Sequence, residues 1–322
     1  MPKNLMTGID FASVLGTRQG RMDAQRTLKR QISCAGIGLH SGHKVTLTLK
    51  PAAADTGIRF RRTDLGVEIP ATVAEVSSVQ HATVLGKAGA TVETVEHLLA
   101  ALVSAGIDNV IVELNHREVP IMDGSSAPFL YLLQEAGVKK LTSNRKYLKI
   151  LKPVQIASGD KRIAIYPSDH FKVSYTISFD HPLLRHQSRT ERITETSFAD
   201  NIAAARTFGF LKEVEWLRQH GLALGGSLEN AIVIGDTGVL NALRFDDEFV
   251  RHKILDVVGD LALVGYPIVG HVVAHRAGHA LHTQLASEIL ADQDAWCLVE
   301  APAAVPEGAF EPVGATGAVR AH

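Results

Sequence analysis

One pattern occurs twice in this chain and limits its fold more than any other feature: an amphipathic helix that passes through a glycine into an apolar strand. In TVETVEHLLAALVSAGIDNVIVEL, Val95, Leu98, Leu99 and Leu102 share a helical face, Gly106 ends the helix, and Val110, Ile111 and Val112 open a buried strand. In FDDEFVRHKILDVVGDLALVGYPIVGHVVAH, Phe249, Ile254, Val257 and Leu261 repeat the helical spacing, Gly265 and Pro267 break it, and a strand runs from Ile268 to Val273. Two such units predict two halves built alike.

The segments around these units alternate like half-buried strands. Val45, Leu47 and Leu49 face one way, and Thr46, Thr48 and Lys50 the other. Further strands are expected at Tyr147 to Ile156, Lys161 to Tyr166 and Phe171 to Phe179. MDGSSAPFLYLLQEAG reads as a helix entered through Ser125 or Ser126, with Pro128 in its first turn and Gly137 at its end. LTSNRKYLK reads as a linker. The fold class is α+β: a two-domain sandwich of similar topology, with helices layered on mainly antiparallel sheets and the active site between the domains. The expected boundaries are a flexible N-terminal extension at 1–25, a first α+β domain at 26–145, a second at 146–302 with a βαβ insert near 207–235, and a flexible Ala/Pro/Gly-rich tail at 303–322.

Charge and cysteine usage exclude several functions. With 33 Lys+Arg against 34 Asp+Glu the chain has no broad basic surface, so no nucleic-acid partner is expected. The two cysteines, Cys34 and Cys297, exclude a disulfide framework and every Cys-rich zinc-finger pattern, and they point to a reducing, cytoplasmic setting. The first 25 residues lack the apolar stretch of a secretory signal. The most apolar region, Leu261 to Val273, is broken by Pro267 and His271 and is shorter than the roughly 20 residues of a membrane helix. No transmembrane segment is expected.

The 15 histidines invite a search for metal-ligand spacing. On a helix, His252, Asp256 and Asp260 fall along one stripe, so His252 and Asp256 can meet one ion. A catalytic zinc site needs a third protein ligand and an open position. Glu96-His97, at the equivalent place in the first helix-strand unit, offers an imidazole with a carboxylate beside it. By spacing alone, a solvated His–Asp pair is the commoner arrangement, and no HExxH motif is present. In HVVAHRAGHALH, His271 and His275 fall in a strand, whereas His279 follows Gly278 at a strand-to-helix turn. A general acid or an exposed polar loop residue both fit His279.

The motifs TVEHLLAAL, PIMDGSSAPF, ARTFGF, LGGSLENAIV, RFDDEFVRHKILDVVGDL and the Gly278-His279 turn, in that order, resemble the UDP-3-O-acyl-N-acetylglucosamine deacetylase family, zinc enzymes of lipid A biosynthesis. The resemblance covers about residues 25 to 300. It implies metal ligands at His97, His252 and Asp256, a general base at Glu96 and a general acid at His279. Asp260 would orient His279, Lys253 would add positive charge, and the Thr207 hydroxyl would help stabilise the oxyanion. Zn2+ is the implied cofactor, with Fe2+ a competitor for the same ligands.

The implied partner is a small-molecule acylated UDP-sugar, bound by a monomer. For the acyl chain, the apolar insert from Leu211 to Val233 offers Leu211, Val214, Leu222, Ala223 and Val233, with Gly225 and Gly226 allowing close backbone approach. Ordinary packing of a small βαβ element explains any one of these equally well. Phe208 is placed with the substrate, Phe179 matches a uracil-stacking position and Arg276 a phosphate-pairing one. His40 and Asp123 also match family motifs, although Asp123 fits a local turn as well. Where some relatives carry a cysteine near the metal, this chain has His81, a candidate for an additional inhibitory metal contact. Two other functions fit the residues: a zinc amidohydrolase acting on another acylated sugar, and a non-catalytic nucleotide-sugar-binding regulator.

Overall fold

The computed structural model describes residues 23–300. The expected tail at 303–322 and nearly all of the extension at 1–25 lie outside those residues. Ala24 and Gln25 already belong to a strand, Ala24–Leu28, which pairs antiparallel with Val138–Asn144.

Among the described residues are six α-helices: α1 (Glu96–Ser104), α2 (Ala127–Ala136), α3 (Glu195–Asn201), α4 (Leu211–Gln219), α5 (Glu248–Leu261) and α6 (His279–Ala291). Two five-stranded sheets carry most of the strands. The first runs in the spatial order Ile32–Ile37, Lys44–Pro51, Val110–Leu114, Ile58–Arg62, Val67–Pro70, and only the Val110–Leu114/Ile58–Arg62 pair is parallel. The second runs Val154–Ser158, Lys161–Tyr166, His271–His275, Lys172–Ile177, Gln187–Arg192, again with one parallel pair at the same place in the order. The two sheets therefore share one pairing plan, as the repeated helix-strand unit predicts.

Each sheet is apolar on one face only. Val45, Leu47 and Leu49 are buried against Leu98, Leu99 and Leu102 of α1 and Phe129 and Leu133 of α2. On the other face Ser33 and Thr48 pair their hydroxyls in an exposed position. Ile163, Ile165, Val173 and Val272 of the second sheet pack with Ile254, Val257 and Leu261 of α5 and with Leu285 and Ile289 of α6. Exposed Ser174–Thr190 and Thr176–Ser188 contacts line its back. Burying about 1.5–3 kcal/mol of apolar side chain per large residue on one face only is what sets the alternation. The two helical layers meet where α1 crosses α5.

Helix α2 begins and ends as expected, at Ser126 and Gly137, where φ is +68°. The Ser125 hydroxyl donates to Asp123 and accepts from the Ala127 backbone N–H at 3.3 Å, whereas the Ser126 hydroxyl donates to the carbonyl oxygen of His97 at 2.7 Å instead of capping the helix. The insert is a βαβ unit: Phe208–Phe210, α4, then Ile232–Ile234 parallel to the first strand.

Three expectations need correction. LTSNRKYLK is not a linker; it is taken up by the strands Val138–Asn144 and Lys146–Ile150. Tyr147 to Ile156 is not one strand, since Lys146–Ile150 and Val154–Ser158 join different sheets. Ile268 to Val273 likewise divides at Gly270, where an added Cβ would lie 2.8 Å from Ile150 Cγ1. Periodicity registers burial on one face, and a chain that passes from one sheet to another keeps its apolar pattern while changing partners.

Candidate metal centre and active site

Helices α1 and α5 supply the centre. His97 sits in the first turn of α1, and His252 and Asp256 lie one turn apart on α5. All three are buried, with one ligand atom from each lying within 4.8 Å of the others. Asp256 Oδ1 is 3.3 Å from His252 Nε2 and 3.8 Å from His97 Nε2. A backbone contact fixes the His252 ring: the Ala205 carbonyl oxygen accepts from Nδ1 at 3.0 Å, which leaves the Nε2 lone pair facing the cluster. Asp256 Oδ2 accepts from Lys253 Nζ at 2.8 Å.

The protonation states suit a cation. Burial and the neighbouring His252 push the His97 imidazole down to about 3, and burial also lowers His252, so both rings stay neutral with a lone pair to offer. Burial works to raise the Asp256 carboxyl, but Lys253, His252 and His279 overcome it and hold the group well below the usual range. Asp256 Oδ1 is fully buried with no hydrogen-bond partner. An ionised oxygen in that position is costly unless something positive meets it. Two neutral imidazoles and a carboxylate fit a divalent cation of the zinc or ferrous type with a coordination position left open.

A second cluster adjoins the first. Glu96 Oε1 lies 3.9 Å from His279 Nε2, and the other Glu96 oxygen accepts from the Thr83 backbone N–H at 3.1 Å. Burial raises the Glu96 carboxyl to about 7, with His279 opposing and Asp260 and Asp256 reinforcing. His279, the first residue of α6, donates from Nδ1 to Asp260 Oδ2 at 2.8 Å. Burial works to lower its pKa, but the charge and hydrogen bond of Asp260, aided by Glu96 and Asp256, raise it to about 9. A carboxylate that takes protons near neutrality thus stands beside an imidazolium that holds one.

The insert forms a mostly apolar cavity of about 370 Å3, lined by Thr207, Phe208, Leu211, Val214, Ala223 and Val233. It adjoins the metal cluster at Phe208, whose ring is 6.2 Å from the His252 ring and is faced by Lys253 Nζ at 5.6 Å. His40 and His81 also line it, with ring centroids 6.1 Å apart. His81, at φ +65°, belongs to neither His/Asp cluster among the described residues. Leu222, Phe179 and Arg276 do not line this cavity. Phe179 packs edge-on against Phe208 and Phe210, and Arg276 pairs with Asp160 at 3.0 Å. The close approach at Gly225 is to backbone, since a Cβ there would lie 2.2 Å from the Gly38 carbonyl oxygen. Asp123 accepts from Ser125 in a local turn and from Arg244 at 2.8 Å.

Several supporting residues escaped the sequence reading. Thr83 donates its hydroxyl to Asp260 Oδ1 at 2.5 Å. The buried Arg206–Glu248 pair, at 2.9 Å, braces the segment whose Ala205 carbonyl orients His252. Neither has a local signature. His282 did have one, since it lies three residues after His279 on the same helical face.

A buried two-imidazole, one-carboxylate cluster, with an adjacent carboxylate and a carboxylate-paired imidazole, defines a metal-dependent hydrolase. Residues 25–291 match the LpxC family, UDP-3-O-acyl N-acetylglycosamine deacetylase, and the chain belongs to that family. It is 50% identical over 302 residues to the UDP-3-O-acyl-N-acetylglucosamine deacetylase of Pseudomonas entomophila (strain L48), covering 91% of this chain and 100% of the relative. It is 52% identical over 283 residues to that of Geotalea uraniireducens (strain Rf4), covering 87% and 92%.

Proposed function

We propose that the chain hydrolyses the acetamide of UDP-3-O-(3-hydroxyacyl)-N-acetylglucosamine, releasing acetate and UDP-3-O-(3-hydroxyacyl)-glucosamine for lipid A biosynthesis. The observation that carries this reading is the unpartnered Asp256 Oδ1 between two imidazole nitrogens, with Glu96 and the Asp260-bound His279 alongside. His97, His252 and Asp256 would hold the cation, Zn2+ in the first instance and Fe2+ as the alternative. A divalent cation there polarises an amide carbonyl and lowers the pKa of water.

The chain's own groups then move the protons. Glu96 Oε1 accepts a proton from the attacking water, whose oxygen bonds to the carbonyl carbon. The Thr207 hydroxyl donates to the former carbonyl oxygen as its charge grows, a kind of contact worth about 3 kcal/mol. His279 Nε2 gives its proton to the amide nitrogen as the C–N bond breaks, leaving acetate and a free amine. Lys253 keeps Asp256 ionised through its 2.8 Å contact. The acyl chain occupies the cavity bounded by Leu211, Val214, Ala223 and Val233, and Phe208 separates it from the metal cluster. Phe179 and Arg276 are the proposed uracil and phosphate contacts.

The same reading includes a cytoplasmic monomer divided near residue 145, between the strands Val138–Asn144 and Lys146–Ile150. No helix among the described residues is long and apolar enough to cross a membrane. Acetate release should be measured with zinc-loaded and iron-loaded protein on the acylated and unacylated nucleotide sugars. Turnover much faster on the acylated substrate than on the unacylated one supports the assignment. Equal turnover of both, or ligand binding with no acetate released, sinks it.

A further inference from the structure

Two imidazoles, not one, are bound to the same carboxylate oxygen. His279 Nδ1 and His282 Nδ1 both lie 2.8 Å from Asp260 Oδ2, and Thr83 occupies Oδ1. The two rings do not stand in equal surroundings. His279 reaches toward Glu96 and is partly exposed, whereas His282 is fully buried. The far end of the His282 ring packs on the fully buried Tyr175, whose hydroxyl lies 3.0 Å from Nε2 and 2.7 Å from the Ala277 carbonyl oxygen. Tyr175 belongs to the strand Lys172–Ile177, and Ala277 lies in the turn that delivers His279 to the head of α6.

We propose that His282 is a positioning residue for the reaction: by donating to Asp260 Oδ2 and anchoring on Tyr175, it fixes the carboxylate that orients His279. The physical argument is one of directions and lone pairs. An ionised carboxylate only accepts, so both Nδ1 atoms in contact with Oδ2 carry protons. A ring that donates from Nδ1 and packs its other side on Tyr175 is held in orientation together with the oxygen it contacts, so the His279 ring meets a fixed partner. His282 also takes a share of the Asp260 charge that otherwise bears more strongly on His279. The groups facing the two rings are Asp260, Asp256 and His252 from α5, Glu96 and His97 from α1, and Tyr175 from the sheet.

This inference rests on the role proposed for His279, so one arm of its test does not use turnover. In the metal-loaded enzyme, nitrogen-15 NMR should find His282 Nδ1 protonated across the pH range in which His279 changes charge. An unprotonated Nδ1 overturns the proposal, even if the enzyme proves to be a deacetylase. In the second arm, His282→Leu should lower kcat about tenfold or more with KM unchanged, and should move the descending limb of the pH profile upward because Asp260 then acts on His279 alone. His282→Asn, which returns one N–H to Asp260, should restore most of kcat and the limb. A His282→Leu enzyme with wild-type kcat per metal-loaded molecule and an unmoved limb overturns the proposal, whatever its thermal stability.

Discussion

Gly259 of α5 lies directly against the backbone of Glu96 of α1: a Cβ built at Gly259 would stand 2.0 Å from the Glu96 carbonyl oxygen. No real Cβ approaches that closely, so only glycine lets the two helices meet at this separation. The contact falls among the functional residues, beside Asp256 and Asp260 on one helix and His97 on the other. Packing of α1 on α5 is therefore the same event as assembly of the His97, His252 and Asp256 cluster.

Gly259→Ala should accordingly affect the site more than its size suggests. The clash is with backbone, which cannot swing aside, so about 1–3 kcal/mol of stability should be lost. Metal affinity should fall with it, because His97 moves relative to His252 and Asp256. Urea unfolding and metal titration on the same variant check both effects, and a stable variant with undiminished affinity contradicts the argument.

The roles of Glu96 and His97 should separate on mutation despite their adjacency. His97→Ala removes one of the three cluster atoms, so metal content and activity should disappear together. Glu96→Ala should retain metal and lose most turnover, about a hundredfold or more, as expected for a general base. Elemental analysis beside acetate release distinguishes them, and a metal-free Glu96→Ala protein argues against this division.

The pH dependence should be bell-shaped. As the proposed general base Glu96 works ionised, so activity should rise with pH through its pKa, which burial raises to about 7. A cation at the adjacent cluster favours the carboxylate, so the observed limb should lie at or below that value. As the proposed general acid His279 works protonated, and Asp260 raises its pKa to about 9 against the effect of burial. Activity should therefore fall above about 9, and His279→Ala should abolish that descending limb. A kcat/KM profile in which the limb survives the substitution removes His279 from the proton transfers.

Arg206 and Glu248 form a buried pair at 2.9 Å, and Glu248 also accepts from the Arg206 backbone N–H at 3.0 Å. Arg206→Met should cost about 3–5 kcal/mol, because it strands a buried carboxylate. The Ala205 carbonyl should shift as well, weakening the hold on His252. Chemical denaturation measures the first effect and metal affinity the second.

Filling the cavity tests substrate selection. Ala223→Trp and Val214→Trp should each raise KM for the acylated nucleotide sugar while leaving the weak turnover of the unacylated one unchanged. An equal loss on both substrates places the acyl chain elsewhere.

Much of the fold was legible because it follows from burial on one face. The alternation at Val45, Leu47 and Leu49, the helical stripes of α1 and α5 and the glycine stops at Gly106 and Gly137 are local patterns with local causes. The expected linker at LTSNRKYLK failed for the opposite reason: its residues are polar on the exposed side of strands whose partners lie far along the chain, so no nearby residue announces the pairing. His282 was visible as one more histidine in a rich segment, but its hydrogen bond to Asp260 depends on how α6 lies across α5.

The sequence by itself determined the two helix-strand units and the four-residue spacing that sets His252 and Asp256 on one stripe of α5, since both follow from the pitch of a single helix. Only the tertiary structure decided that Asp256 Oδ1 comes within 3.8 Å of His97, that the oxygen is left without a hydrogen-bond partner, and that Asp260 is shared by two imidazoles. Those distances join separate helices, and they are set by the close approach at Gly259 and by the packing of each sheet beneath its own helices, which no local spacing encodes.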